Sequence, residues 1–274
     1  MRTGDLPDER ALVPYEASRF DARRVLVLAP HPDDEVFGCG GALADLVSRG
    51  ATIDVLLVTD GAAGASDDAG RRAIAARRAG ESRAALTLLG GGTVHEGGLP
   101  DRSLAMRAEE LERLVASWLA QVAPDLVFCP SPVETHPDHR AVAYALLAVA
   151  RRPARDPAAA ALARATVAFV EVSQPFRPNF LVDVTRVLEL KRKAVGVFAS
   201  QAKERDYAAF VGGLNAFRTM TLPPGSAAAE AFAVFPGALL ADPAAVLAAL
   251  LPVAPRPHLG LWERLGVLFS GRLP

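Results

Sequence analysis

The stretch VLVLAPHPDDEVFGCGG, Val25 to Gly41, decides the fold. Its first five residues are β-rich and apolar without a break, which marks a strand buried on both faces rather than one. The polar segment HPDDE (His31 to Glu35) follows at once, and a helical pattern then runs from Glu35 to an end near Gly50. The same order recurs along the chain. Strands are expected at Ile53 to Val58, Leu126 to Cys129, Thr166 to Val172 and Phe180 to Val184. Helices are expected over about 71–89, over 103–122 with Ser103 as N-cap, after the HPDH segment, and from the last strand through Ser200. Buried strands alternating with helices predict a doubly wound, Rossmann-like α/β fold: a mostly parallel sheet with helices on both faces. Within the 274 residues the expected division is an N-terminal extension (1–23), one α/β domain (24–240) and a C-terminal tail (241–274) that is helical and packed on the domain.

Composition narrows the function. Hydrophobic residues make up 51 % of the chain, enough for a large core, and the net charge of −1 gives no footprint for nucleic acid. The N-terminal segment is charged throughout and lacks the apolar run of a secretory signal. Two cysteines, Cys39 and Cys129, make no disulfide framework, which fits a cytoplasmic location. Self-association into a homo-oligomer stays open. In the tail, Leu261, Trp262, Leu265, Leu268 and Phe269 share one helical face; packing on the domain or a partner chain is favoured over contact with a membrane surface, because few cations flank them.

Open α/β sheets bind ligands beyond the carboxyl ends of their strands. Both HPDDE and HPDH (His136 to His139) fall there, and they hold three of the chain's five histidines. A catalytic zinc takes imidazole and carboxylate ligands from three residues and keeps a position for water. His31 and Asp34 lie three apart on a turn entering a helix, and His139 is placed to complete the set from the neighbouring βα loop. A blander reading makes each His-Pro-Asp a turn with a helix cap, with Asp33 or Asp138 as the capping residue. Two such segments after strands of one sheet favour the metal.

The segments APHPDDEVFGCGG (Ala29 to Gly41) and PDLVFCPSPVETHPDH (Pro124 to His139) resemble the PIG-L/LmbE family of zinc-dependent N-deacetylases. Shorter likenesses extend the resemblance over about residues 24–235: TDG at Thr59, Arg78 with Glu81, LPD at Leu99, EVSQPFRPN at Glu171, Ser200-Gln201 and EAF at Glu230. The resemblance implies one zinc per chain, or another divalent ion, held by His31, Asp34 and His139. It implies that Asp33 is the general base, that His136 stabilises the tetrahedral intermediate or protonates the leaving amine, and that Asp138 orients an imidazole. Arg78 and Asp101 become candidate contacts to an N-acetylated sugar or glycoconjugate, each with a structural alternative, an exposed helix charge and a turn residue. The implied reaction is removal of an acetyl group from an amino sugar. Three rivals remain: an amidase for longer acyl groups or non-sugar amides, a non-catalytic glycoconjugate binder, and a nucleotide-binding module. The last is disfavoured because Gly38, Gly40 and Gly41 do not form G-x-G-x-x-G.

Overall fold

Strand β1 (Arg24–Ala29) carries Val25, Val27 and Ala29 on one face and Leu26 and Leu28 on the other, and all five are buried. In a computed structural model, which describes residues 9–202 and 205–251, two hydrophobic cores therefore grow from the same strand, one on each side of the sheet. One core packs α1 (Asp34–Ser48), α2 (Asp68–Leu88), α6 (Leu188–Val195) and α8 (Tyr207–Phe217). The other packs α3 (Ala108–Val122), α4 (Pro137–Ala150), α5 (Pro157–Arg164) and α9 (Pro243–Leu250). The remaining short helix is α7 (Ala199–Ala202). This is the doubly wound α/β arrangement.

The sheet adds β2 (Thr52–Thr59), β3 (Thr93–Leu99), β4 (Leu126–Pro130), β5 (Thr166–Val170), β6 (Phe180–Asp183) and β7 (Ala229–Pro236) in the order β3-β2-β1-β4-β5-β7-β6. Strands β1 to β5 run parallel, whereas β7 lies antiparallel between β5 and β6. The chain order reverses between β1 and β4, so the loops after these two strands diverge and leave a crevice, the usual ligand position in such sheets. His31 leaves β1 on one side of that crevice, and α4 carries His139 in from the other.

Several expectations are corrected. Thr93–Leu99, not among the expected strands, is the edge strand β3; half-exposed and polar, TVHEGGL lacks the apolar run of its neighbours. The strand expected over Thr166 to Val172 stops at Val170, because the Val172 N–H turns to a Glu134 carboxylate oxygen 2.8 Å away. Ser103 caps no long helix. Its hydroxyl donates to the Pro100 carbonyl at 2.6 Å, a short 3-10 turn follows at Leu104–Met106, and α3 starts only at Ala108.

The helix after HPDDE breaks at Cys39, where φ is −144° and ψ 17°. The amides freed by the break, on Gly41 and Ala42, donate to the two carboxylate oxygens of Glu230 at 2.7 and 2.8 Å. The Lys191 ammonium, 2.6 Å from Glu230, offsets that buried charge and also donates to the Phe37 carbonyl and Asn215. A Cβ on Gly41 would stand 2.5 Å from a Val184 methyl. Gly41 thus serves this kink and its packing, and needs no nucleotide to explain it. Cys39 and Cys129 are both buried free thiols. Of the tail, α9 sets Val246 and Leu250 into the second core, while the face at Leu261 to Phe269 lies outside the described residues. No helix among the described residues is long and apolar enough to cross a membrane.

Candidate metal centre and active site

The first turn beyond β1 holds an unusual backbone. Asp33 has φ 139° and ψ −29°, a region L side chains rarely adopt, and such conformations cost about 1–3 kcal/mol and gather at functional sites. Asp33 occupies the N-cap position of α1, yet its carboxylate caps nothing. It accepts instead from Arg78 Nη2 at 3.0 Å. The backbone twist thereby aims the Asp33 and Asp34 side chains in different directions.

Asp34 Oδ2 stands 3.2 Å from His31 Nδ1 and 3.2 Å from His139 Nε2, and those two ring nitrogens are 3.3 Å apart. Two imidazole nitrogens thus converge on one carboxylate oxygen and on each other. A tetrahedral ion with bonds of roughly 2.0–2.1 Å places its ligands roughly 3.3 Å apart, so the three atoms fit one face of a zinc-like coordination shell. Two looser sets in the same crevice, His31 with His136 and His139, and His31 with Asp101 and Asp138, bring their ligating atoms within 4.8 Å of one another. The tighter set fits an ion better.

The far nitrogens of both imidazoles face carboxylates, an arrangement that orients metal-binding histidines. His31 Nε2 lies 3.1 Å from Asp101 Oδ1 and 3.4 Å from Asp138 Oδ2, and His139 Nδ1 lies 3.6 Å from Glu134 Oε2. Burial disfavours charge on both rings, but these carboxylates and Asp34 outweigh it: His31 is raised well above its ordinary pKa and His139 to about 9. Burial likewise opposes charge on Asp34, which His139 and His31 nonetheless hold well below the carboxylate range. Asp101 also resists burial and is held at about 2, chiefly by His31. Asp33 goes the other way. Burial and the charge on Asp34 push it up to about 8 against the pull of Arg78.

His136 is the N-cap of α4, and its Nδ1 accepts the Asp138 N–H at 3.2 Å. A neutral imidazole accepting through Nδ1 carries its proton on Nε2, so this ring is a donor. Burial and the neighbouring His31 and His139 lower its pKa and keep it neutral. Asp138 does not cap α4. Its two oxygens accept from the Arg102 and Leu104 amides at 2.7 and 3.2 Å, which ties the turn after β3 to the start of α4.

Arg78 is no exposed helix charge. It is buried, and it donates to Gly61 O at 2.8 Å and Pro32 O at 2.9 Å as well as to Asp33. Its guanidinium is committed to the protein, clamping the loops after β1 and β2. Glu134 went unassigned in the sequence, although it lies in the quoted VETHPDH. Its carboxylate gathers the amides of Val172, Ser173 and Gln174 at 2.8–3.4 Å and backs His139. The only signal was an acid five residues before a candidate ligand. The whole cluster opens into a cavity of about 1070 Å³ walled further by Phe37, Arg77, Tyr207 and Phe210.

The PIG-L family model, described as GlcNAc-PI de-N-acetylase, matches residues 26–150, which contain both His-Pro-Asp segments. Diacetylchitobiose deacetylase of Thermococcus kodakarensis is 31 % identical over 196 residues, covering 67 % of this chain and 72 % of that protein. The chain belongs to the PIG-L/LmbE family. A probable N-acetyl-alpha-D-glucosaminyl L-malate deacetylase of Bacillus anthracis is 29 % identical over 198 residues, or 68 % of this chain and 87 % of that one. Among solved structures, N,N'-diacetylchitobiose deacetylase from Pyrococcus horikoshii, complexed with its inhibitor MPG, superposes with a TM-score of 0.65 and 27 % identity, covering 81 % of this chain and 87 % of that one. Membership in this PIG-L/LmbE family of hydrolases accords with the crevice, where histidines and carboxylates meet at the sheet's switch point.

Proposed function

We propose that this PIG-L/LmbE protein is a zinc-dependent hydrolase that removes the acetyl group from the amino sugar of a glycoconjugate. The observation that carries this reading is the 3.2–3.3 Å triangle of His31 Nδ1, Asp34 Oδ2 and His139 Nε2 beside an Asp33 that is not part of it. These three residues would hold a divalent ion, which would supply Lewis acidity towards water and the amide carbonyl.

The rest is done by the chain's own groups. Asp33, held by Arg78 and set apart from Asp34, takes a proton from the attacking water. His136 presents Nε2–H to the carbonyl oxygen as it gains charge. Its neutrality matters, because it must donate a hydrogen bond without repelling the cation that the ligand set is built for. The carbon–nitrogen bond then breaks, and the proton taken from water leaves with the amine, so amide plus water gives amine plus acetate. Asp101, Asp138 and Glu134 hold the two ligand histidines in orientation.

The test is a panel of N-acyl glucosaminides given to protein stripped by chelator and to the same protein reloaded with one equivalent of zinc. Reloading is expected to restore release of acetate from N-acetyl substrates. Faster release of a longer acid, or acetate release only from non-sugar amides, would replace the deacetylase reading with that of a different acylamidase.

A further inference from the structure

Three arginines from three separate elements line the cavity without a side-chain partner among the described residues. Arg77 lies on α2, Arg102 on the turn after β3, and Arg205 just before α8. All three side chains are exposed, and none makes an ion pair or side-chain hydrogen bond among the described residues. Their neighbours show that this is not the habit of the fold. On the same helix as Arg77, Arg71 pairs with Asp60 at 3.3 Å and Arg78 with Asp33 at 3.0 Å.

The carboxylates that line the cavity do not answer them. Asp33 is taken by Arg78, Asp34 by the two histidines, and Asp101 by His31 and the Ala63 amide. Among the described residues, the part of the cavity beyond the candidate ligands therefore has a positive lining that no lining carboxylate balances. Arg102 adds a second sign of purpose. Its backbone sits at φ 60°, where a non-glycine residue is held only if its surroundings require it, and its amide is fixed by Asp138. The turn is thus braced to the catalytic centre, with a guanidinium carried on it.

We propose that the substrate's aglycone carries an anionic group, a carboxylate or a phosphate, and that Arg77, Arg102 and Arg205 recognise it. The proposal rests on the deacetylase reading for the other end of the substrate. A guanidinium presents a planar fork that matches either oxyanion, and in a cleft lined by one sign of charge the attraction is focused. Ile74, Arg77 and Arg78 line the cavity from one face of α2, at spacings of three and four. Arg78 holds the base on that face while Arg77, beside it, is left for the ligand.

The experiment uses three N-acetylglucosaminides of matched size whose aglycones end in a carboxylate, a phosphate or a neutral amide. Acetate release gives kcat/KM for each at low and high salt. At least one anionic substrate is expected to exceed the neutral one by roughly tenfold or more, the effect of one charge-assisted hydrogen bond, mainly through KM. Added salt should shrink the ratio, and Arg77→Gln, Arg102→Gln and Arg205→Gln together should bring it towards one. The larger of the two anionic ratios identifies the group. A neutral substrate as good as both anionic ones, or a ratio indifferent to the three substitutions, overturns the proposal. Calorimetric titration of the same glycosides into the Asp33→Asn protein reads the charge preference without turnover. If none of the three is hydrolysed, the deacetylase reading fails, and the titration still decides whether the cavity selects anions.

Discussion

Replacing Arg78 by Met removes a guanidinium that lies 3.0 Å from Asp33 Oδ2, with both side chains buried. Unit charges ~4 Å apart at an effective dielectric of ~20 attract by roughly 4 kcal/mol, which is roughly three pKa units on the carboxyl. Asp33 is already raised from 3.8 to about 8 by burial and Asp34, with Arg78 opposing the rise. Without Arg78 it moves higher still. A base must be ionised to work, so the acid limb of the kcat/KM–pH profile shifts to higher pH, and the rate at neutral pH falls by ~10²-fold or more. Stability follows the same sign. A carboxyl whose folded pKa lies above its unfolded value contributes stability at low pH that is lost as pH rises through the folded value. Breaking a buried pair at one partner costs on the order of 3–5 kcal/mol above that range, and Pro32 and Gly61 lose their donors as well. Arg78→Lys keeps the charge but not the fork, and should recover only part of the rate. The assay is the pH profile of acetate release for both variants, with bound metal measured alongside and expected to stay. A raised KM with unchanged kcat and an unmoved acid limb would make Arg78 the sugar contact suggested by its sequence and refute its role in positioning Asp33.

His136→Ala should keep its metal and lose ~10²-fold or more in kcat, as expected for one oxyanion donor; loss of the ion would exchange its role with that of His139. Glu134→Gln should weaken metal binding by ~10–100-fold in a chelator competition, and an unchanged affinity would leave Glu134 a loop-holding residue only. Glu230→Gln, which leaves the Lys191 ammonium buried without its counter-charge, should cost on the order of 3 kcal/mol. At roughly 2–4 °C per kcal/mol for a chain of this size, a thermal melt resolves it. An unaltered melting temperature would mean that the α1 kink does not depend on that carboxylate.

The parts of the fold that were legible were those with one dominant physical signal. VLVLA, IDVLLV and LVFC are apolar on both faces, and only a covered parallel sheet buries such strands. TVHEGGL was not legible, because an edge strand needs burial on one side at most and glycine weakens its pattern. β7 was not expected as a strand at all, and its reversed direction has no local signal, because side-chain alternation is the same whichever way a strand runs. At the site, the clustering of His31, Asp34 and His139 was legible because these residue types, placed after strands of one sheet, suit a cation. Supporting groups were harder. Glu134 and Arg78 act through contacts 5 to 46 residues away in sequence, with Arg78 reaching Pro32 and Gly61 and Glu134 reaching His139 and Val172. Nothing local distinguishes an arginine that clamps two loops from one on a solvated helix face. The strain at Asp33 was also hidden, since an aspartate after His-Pro reads as an ordinary cap until its φ is known.

In the proposed mechanism two adjacent aspartates have separate jobs, one reaching the ion and the other reaching water. Asp34 Oδ2 lies in the histidine triangle, and Asp33 Oδ2 lies against Arg78. The most direct test is bound zinc and acetate release measured together on Asp33→Asn and Asp34→Ala. Asp33→Asn keeps the shape and loses the basicity, so it should hold about one ion per chain and be nearly inactive; Asp34→Ala should lose ion and turnover together. A metal-poor Asp33→Asn beside a metal-replete Asp34→Ala, or an Asp33→Asn that still releases acetate at the wild-type rate, would contradict it.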